Sequence, residues 1–236
     1  MNKKNRIPLI IGSVVLLIGL VLVLALVVAN GDDGDDGATG TTAATSPAAT
    51  AADGSTAEGV SGDQPVTIEA NAPVVVTGDS LPAYDPSVQP DPGVGLEAPV
   101  VEGQSFDGSS ISIGGQTDGP QLLVFLAHWC PHCNEEIPEL LAVEANGGIP
   151  DELQVIGVST AVAADRPNYP PSEWVVETGW DWPVMADSEG SEAFLAYGGS
   201  GFPYMVMLDS DGAVLSRQSG SAPAATIEAW IADTLG

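Results

Sequence analysis

The stretch QLLVFLAHWCPHCNEEIPELLAVEANGG, residues 121–148, decides the fold. Gln121 to Ala127 is a short continuous apolar run, the pattern of a strand buried on both faces. Pro131 to about Asn146 reads as a helix. Ile137, Leu140, Leu141 and Val143 recur near helical spacing, and Gly147-Gly148 ends it. Leu153 to Ser159 is a second buried strand. A strand, a helix and a strand in that order make a right-handed crossover and a parallel pair.

Outward toward the C-terminus, Ser172 to Thr178 reads as helical and Pro183 to Ala186 as a short strand. Ser188 or Ser191 is the candidate cap of a helix ending by Gly198-Gly199. Tyr204 to Leu208, the turn Asp209-Ser210-Asp211-Gly212 and Ala213 to Arg217 form a β-hairpin. Pro223 to Leu235 closes the chain as an amphipathic helix with Ile227, Trp230 and Ile231 on one face. Helices interleaved with parallel strands, then a hairpin and a helix, give a three-layer α/β domain with a mixed central sheet. We place it at residues 93–236.

Outward toward the N-terminus, Ile7 to Ala29 contains no charged residue. At about 1.5 Å per residue it reaches about 35 Å as a helix, enough to cross a bilayer core. Lys3, Lys4 and Arg6 precede it; Asp32, Asp33, Asp35 and Asp36 follow. The positive-inside rule puts residues 1–6 in the cytoplasm and everything after the span outside. A cleaved signal peptide ending at Val27-Val28-Ala29 competes, but signal h-regions run about 7–15 residues, and the greater length favours a retained anchor. No cysteine follows the apolar run, which disfavours a lipoprotein. Residues 30–65, nearly all Gly, Asp, Ala, Thr and Ser at first, lack large apolar side chains and read as a flexible linker. Residues 66–92 combine β-prone triplets (Val66-Thr67-Ile68, Val74-Val75-Val76-Thr77) with Pro82, Pro86, Pro90 and Pro92. They read as an extended arm along the domain.

All 32 acidic residues lie beyond the apolar run, against only Arg166 and Arg217 of the five basic ones. Such a body repels nucleic acid and anionic lipid heads. The ordinary use of this charge is solubility outside the cell; selection of a basic partner is the sharper alternative.

The chain has two cysteines, Cys130 and Cys133, and they are three apart. The pair follows a buried strand and opens a helix. Unpaired N–H groups and the helix dipole favour negative charge there, and so the thiolate of Cys130. The only two histidines, His128 and His132, flank Cys130. His132 lies between the cysteines, placed to stabilise the Cys130 thiolate by charge or hydrogen bonding. His128 reads as a surface residue at the strand end, with tuning of the substrate or of the thiol pKa as the alternative. Cys130 is thus the candidate nucleophile, and Cys133, one turn inward, the resolving thiol of a mixed disulfide. A permanent structural disulfide is a poor alternative, because so small a loop removes little unfolded-chain entropy. A zinc site needs a second, separated ligand pair, which the sequence lacks. We expect no metal and no cofactor.

At Trp129-Cys130-Pro131-His132-Cys133 the chain resembles the thioredoxin superfamily, in particular its membrane-tethered TlpA/ResA-like branch. Pro138 fits the proline that kinks the active-site helix there. Gly201-Phe202-Pro203-Tyr204 fits the loop carrying a cis-proline. Gly95 to Ile113 resembles the branch's lead-in N-terminal hairpin, and Met205 to Gly220 its closing hairpin. The resemblance covers about residues 93–236 and implies a thioredoxin fold. It also implies that Pro203 is cis beside the cysteines and that the peptide group of Phe202 binds an extended substrate segment. Trp129, Phe202 and Pro203 are the substrate-binding residues it marks. The implied clients are protein thiols or disulfides, among them apocytochromes and secreted proteins, with a membrane-embedded redox partner and no nucleic acid.

Two departures qualify the match. The buried acid that thioredoxins keep on the strand before the cysteines is Val124 here, which cannot take a proton from Cys133; Glu135 or Glu136 is the alternative for that role, although both read as exposed helix residues. The Pro-His dipeptide resembles oxidising members of the DsbA type, whereas the rest resembles a branch that often reduces. A thioredoxin-fold peroxidase is a weaker alternative, since no Thr or Ser shortly precedes Cys130. A tethered binding module with an inert disulfide is another. Arg166, Tyr169, Trp174, Trp180 and Trp182 crowd the insert from Asp165 to Trp182; core packing is their commoner use, a substrate rim the other.

Overall fold

The computed structural model describes residues 67–236. The expected cytoplasmic terminus, membrane span and linker, with Val66 of the arm, lie outside the described residues. Among the described residues no helix is long and apolar enough to cross a membrane.

Eight strands form one mixed sheet. At its centre β4 (Gln121–Leu126) runs parallel to β5 (Gln154–Ser159), with Leu123 opposite Ile156. The crossover between them is α1 (Pro131–Ala145). On the other side β4 pairs antiparallel with β7 (Tyr204–Leu208), which pairs with β8 (Val214–Ser219) as the closing hairpin. Beyond β5 comes the short parallel β6 (Val184–Ala186), then β2 (Val100–Ser105), antiparallel to it. β3 (Ser110–Ile113) pairs with the far edge of β2. β1 (Val75–Thr77) shares the near edge with β6.

The continuous apolar run of β4 is explained by what covers each face. Leu122, Val124 and Leu126 point toward Ile137, Leu140 and Val143 of α1 and Ile227 and Ile231 of α4 (Ala224–Leu235). Leu123 and Phe125 point the other way, toward Phe194 and Tyr197 at α3 (Glu192–Ala196) and Leu81 and Tyr84 of the arm. Both faces are therefore dry, as period-two alternation requires of a central strand with helices on each side. Removing one such side chain, as in Leu122→Ala, costs about 2–5 kcal/mol.

Two local expectations change. Proline breaks the arm as expected, yet only Val75–Thr77 becomes a strand, and the rest is held by scattered main-chain bonds, such as Leu81 N–H to the Ala196 carbonyl and Tyr84 N–H to the Gly198 carbonyl, and by side chains. Arg217, buried on β8, ion-pairs with Asp91, donates to the Pro82 carbonyl at 2.8 Å and lies over the Tyr84 ring. The start of α3 is capped by neither expected route alone. Ser191 has left-handed backbone and caps nothing with its side chain, while Ser188 Oγ accepts from the Glu192 N–H at 3.1 Å. The main acceptor is the buried carboxylate of Asp187, which takes the N–H groups of Ala193 and Phe194 and the hydroxyl of Thr160. One carboxylate so satisfies two unpaired helix donors and ties α3 to the end of β5.

Candidate active site

Cys130 lies at the junction of β4 and α1. It is extended, and Pro131 takes the first helical position, where its missing N–H costs nothing. The Cys130 sulfur makes no cap to the helix. It points instead to the cis-proline loop, 3.9 Å from the Phe202 carbonyl oxygen. The Phe202–Pro203 peptide is cis. The Pro203 carbonyl is occupied by Ser219 and Gly220. The Phe202 N–H, by contrast, has no hydrogen-bond partner among the described residues.

The two thiols differ in access. Cys130 is 6% exposed and Cys133 fully buried, and both are free. Burial pushes the Cys133 thiol up. Charge on Cys130 and Glu136 adds to the shift, and a backbone hydrogen bond from Ala127 opposes it. Cys133 therefore needs a base before it can attack.

The structure supplies a base where the sequence reading placed a surface residue. Glu136 is fully buried. One carboxylate oxygen accepts the Ala222 N–H at 2.8 Å; the other is buried with no partner among the described residues. Burial pushes the carboxyl up to about 7, the Ala222 hydrogen bond opposes this, and nearby Glu139 adds to it. A carboxyl that titrates near neutrality beside a buried thiol is suited to proton transfer. Val124, at the position of the missing strand acid, is packed in the apolar core.

The two histidines sit in different surroundings, and one departs from expectation. His128 is buried, not on the surface. Its Nε2 accepts the Ala163 N–H at 3.2 Å, so Nδ1, 2.7 Å from the Pro167 carbonyl, is the protonated nitrogen. The Asn168 side chain also bonds the His128 carbonyl, at 2.8 Å. His128 thus stitches the loop after β5 to the active-site turn. His132 is exposed, and its Nδ1 is 3.0 Å from Glu135 and 3.5 Å from the Ser221 hydroxyl. Its hydrogen bonds go to these groups, not to Cys130.

Around the cysteines, Asn134 donates to the Cys130 carbonyl at 2.8 Å and accepts from Trp174 Nε1 at 2.9 Å. Trp174, on α2 (Pro171–Glu177), and Trp180 are core residues; Arg166 and Tyr169 are exposed. The insert therefore divides between the two readings. Trp129 donates its indole N–H to the Ala161 carbonyl at 2.7 Å and meets Phe202 edge-on, ring centres 6.0 Å apart. Trp129, Cys130, Phe202 and Pro203 thus come together, with Cys133 and Glu136 behind them. Among the described residues no cluster of three or more potential ligands could hold a metal ion.

This geometry agrees with comparisons to known proteins. A family-wide sequence model described as Redoxin matches residues 93–231. The chain belongs to the Redoxin family. Within it the likenesses are to thioredoxin-like thiol–disulfide oxidoreductases. Thiol:disulfide interchange protein HelX of Rhodobacter capsulatus is 26% identical over 138 residues, which make up 58% of this chain and 73% of HelX. Methylamine utilization protein MauD of Methylophilus methylotrophus is 30% identical over 128 residues, 53% of this chain and 56% of MauD. The Redoxin chain thus spans little more than half of MauD. Among solved structures, a DsbF homologue from Corynebacterium diphtheriae superposes with a TM-score of 0.52 at 19% identity, covering 65% of this chain and 99% of that one. A thiol:disulfide interchange protein DsbE from Chlorobium tepidum gives 0.50 at 23% identity, covering 61% and 98%. These structures establish the thioredoxin-like α/β fold.

Proposed function

We propose that the chain exchanges disulfides with protein clients through Cys130 and Cys133, outside the cytoplasm, from an anchor at residues 7–29. The observation that carries the reading is the division of labour at the site. A sulfur on a residue 6% exposed lies at a helix N-terminus against a cis-proline loop, and a second, fully buried sulfur lies one turn behind it, near enough to Glu136 to feel its charge.

In the reducing direction the Cys130 thiolate attacks a client disulfide. An S–S bond forms between Cys130 and one client sulfur as the client bond breaks and its other sulfur leaves as thiolate. The Glu136 carboxylate takes the proton of Cys133. The Cys133 thiolate then attacks Cys130 Sγ, releasing the second client thiolate and leaving the Cys130–Cys133 disulfide. Two electrons pass to the client, and two protons come to its sulfurs through Glu136 and solvent. The oxidising direction is the reverse. The free N–H of Phe202 is placed to hold an extended client strand while this happens.

Secreted proteins and apocytochromes fit the client class, and a membrane redox partner would reset the pair. Replacing Cys133 with Ala should accumulate client proteins covalently on Cys130, released by dithiothreitol; replacing Cys130 should abolish the adducts. Absence of adducts in the Cys133 variant would remove the reading. Retention of the full-length chain in membranes after alkaline carbonate extraction tests the anchor. A signal peptide would instead leave the domain in the soluble fraction.

A further inference from the structure

The described residues contain two basic side chains, Arg166 and Arg217. Arg217 is buried and paired. Arg166 is exposed, in the loop between β5 and α2, and among the described residues no carboxylate lies within ion-pairing distance of it. In a chain of net charge −27, the one exposed cation of the described residues is therefore unneutralised. Its position is specific. The guanidinium carbon lies 5.4 Å from the centre of the Trp129 ring, next in sequence to Cys130. Trp129 in turn meets Phe202, whose carbonyl is 3.9 Å from the Cys130 sulfur.

The loop beneath Arg166 is fastened on both sides of it. Ala161 is bonded to Trp129 Nε1, Ala163 and Pro167 to the two ring nitrogens of His128, and Asn168 to the His128 carbonyl. The backbone that carries the guanidinium is thus pre-positioned relative to the reactive sulfur. A guanidinium stacked on an aromatic face keeps its N–H edge free for a carboxylate, which it can grip with two parallel bonds.

We propose that Arg166 and Trp129 form a subsite for an Asp or Glu carboxylate flanking the reacting cysteine of the client. Arg166 is then a specificity-determining residue of the exchange proposed above, on which the inference rests. Distant acidic groups of the domain are screened over about 8 Å at physiological salt, so at contact range the local cation decides. Elsewhere the acidic body repels acidic clients, so this subsite favours clients that are neutral or basic overall and carry an acid beside the cysteine.

The test uses the reduced full-length protein and two short peptides, each blocked at its single cysteine by 5-thio-2-nitrobenzoate. One has Glu and the other Lys on both sides of the cysteine. The readout is the ratio of the two exchange rates, which a general loss of folding does not move. Arg166→Gln should lower the Glu-to-Lys ratio by about three- to fivefold. Arg166→Glu should lower it by about tenfold or more, whereas Arg166→Lys should retain most of it. An unchanged ratio in Arg166→Gln and Arg166→Glu, with exchange intact, overturns the subsite alone. Failure of the wild type to exchange with either peptide overturns the exchange reading as well.

Discussion

Two carboxylates in this domain, the partly buried Asp91 and the fully buried Glu136, are treated in opposite ways. Asp91 meets Arg217, whose guanidinium is also used by Pro82, Tyr204 and the Tyr84 ring. Glu136 has one oxygen bonded and one with no partner among the described residues. The Arg217 guanidinium holds the Asp91 carboxyl below its ordinary value, although partial burial opposes this. Burial pushes Glu136 from 4.5 up to about 7. A satisfied buried charge builds the fold; an incompletely satisfied one is left able to change its charge near neutrality, which is what proton transfer requires.

Breaking the first member should have the larger effect. Arg217→Met leaves Asp91 half-buried without its partner, and should destabilise the domain by about 3–5 kcal/mol. Urea unfolding measures this, while exchange per folded molecule should stay close to wild type. Glu136→Gln should instead leave the fold intact and slow resolution of the Cys130 mixed disulfide by about a hundredfold. Stopped-flow quenching across pH should show the wild-type rate rising through about pH 7 and the variant lacking that limb.

The two acids should also bend the stability–pH curve in opposite directions. Asp91 has a lowered folded value, so its contribution is present above the unfolded carboxylate range and is lost as pH falls through the folded value. Glu136 has a raised value, so its contribution is complete below about 4.5 and is lost as pH rises through about 7. Urea midpoints should therefore fall between about pH 5 and 7 in the wild type, and this fall should flatten in Glu136→Gln. The smallest effect concerns His132. Its imidazole is hydrogen-bonded to Glu135, so Glu135→Ala should free it to act on Cys130 and raise the pair's potential by about 10–20 mV, a few-fold or less in the equilibrium constant.

The central fold was legible because buried parallel strands are apolar at every position, as Gln121 to Ala127 nearly is, and because Gly147-Gly148 stops α1. The cysteines and the cis-proline loop were legible as a motif. Glu136 was weighed for proton transfer but read as exposed, although a signal of its burial existed. Positions 133, 136, 137, 140 and 143 form one helical stripe, all of it buried, and Glu136 falls inside it. His128 and Arg217 carried no such signal. The loop partners of His128 lie 35–40 residues away and the Asp91 and Pro82 partners of Arg217 lie 126 and 135 away, and only the folded chain brings them together. Asp187 was hidden for a different reason. It caps α3 from six and seven residues upstream, beyond the spacing of an ordinary side-chain cap.

The equilibrium between the dithiol and disulfide forms of Cys130 and Cys133 in glutathione buffers is the most direct test. An exchanging pair should titrate at a potential above about −300 mV, and insulin disulfides should be turned over at a matching rate. A potential below about −300 mV with no exchange on insulin would mark the two sulfurs as an inert structural bond and contradict the account.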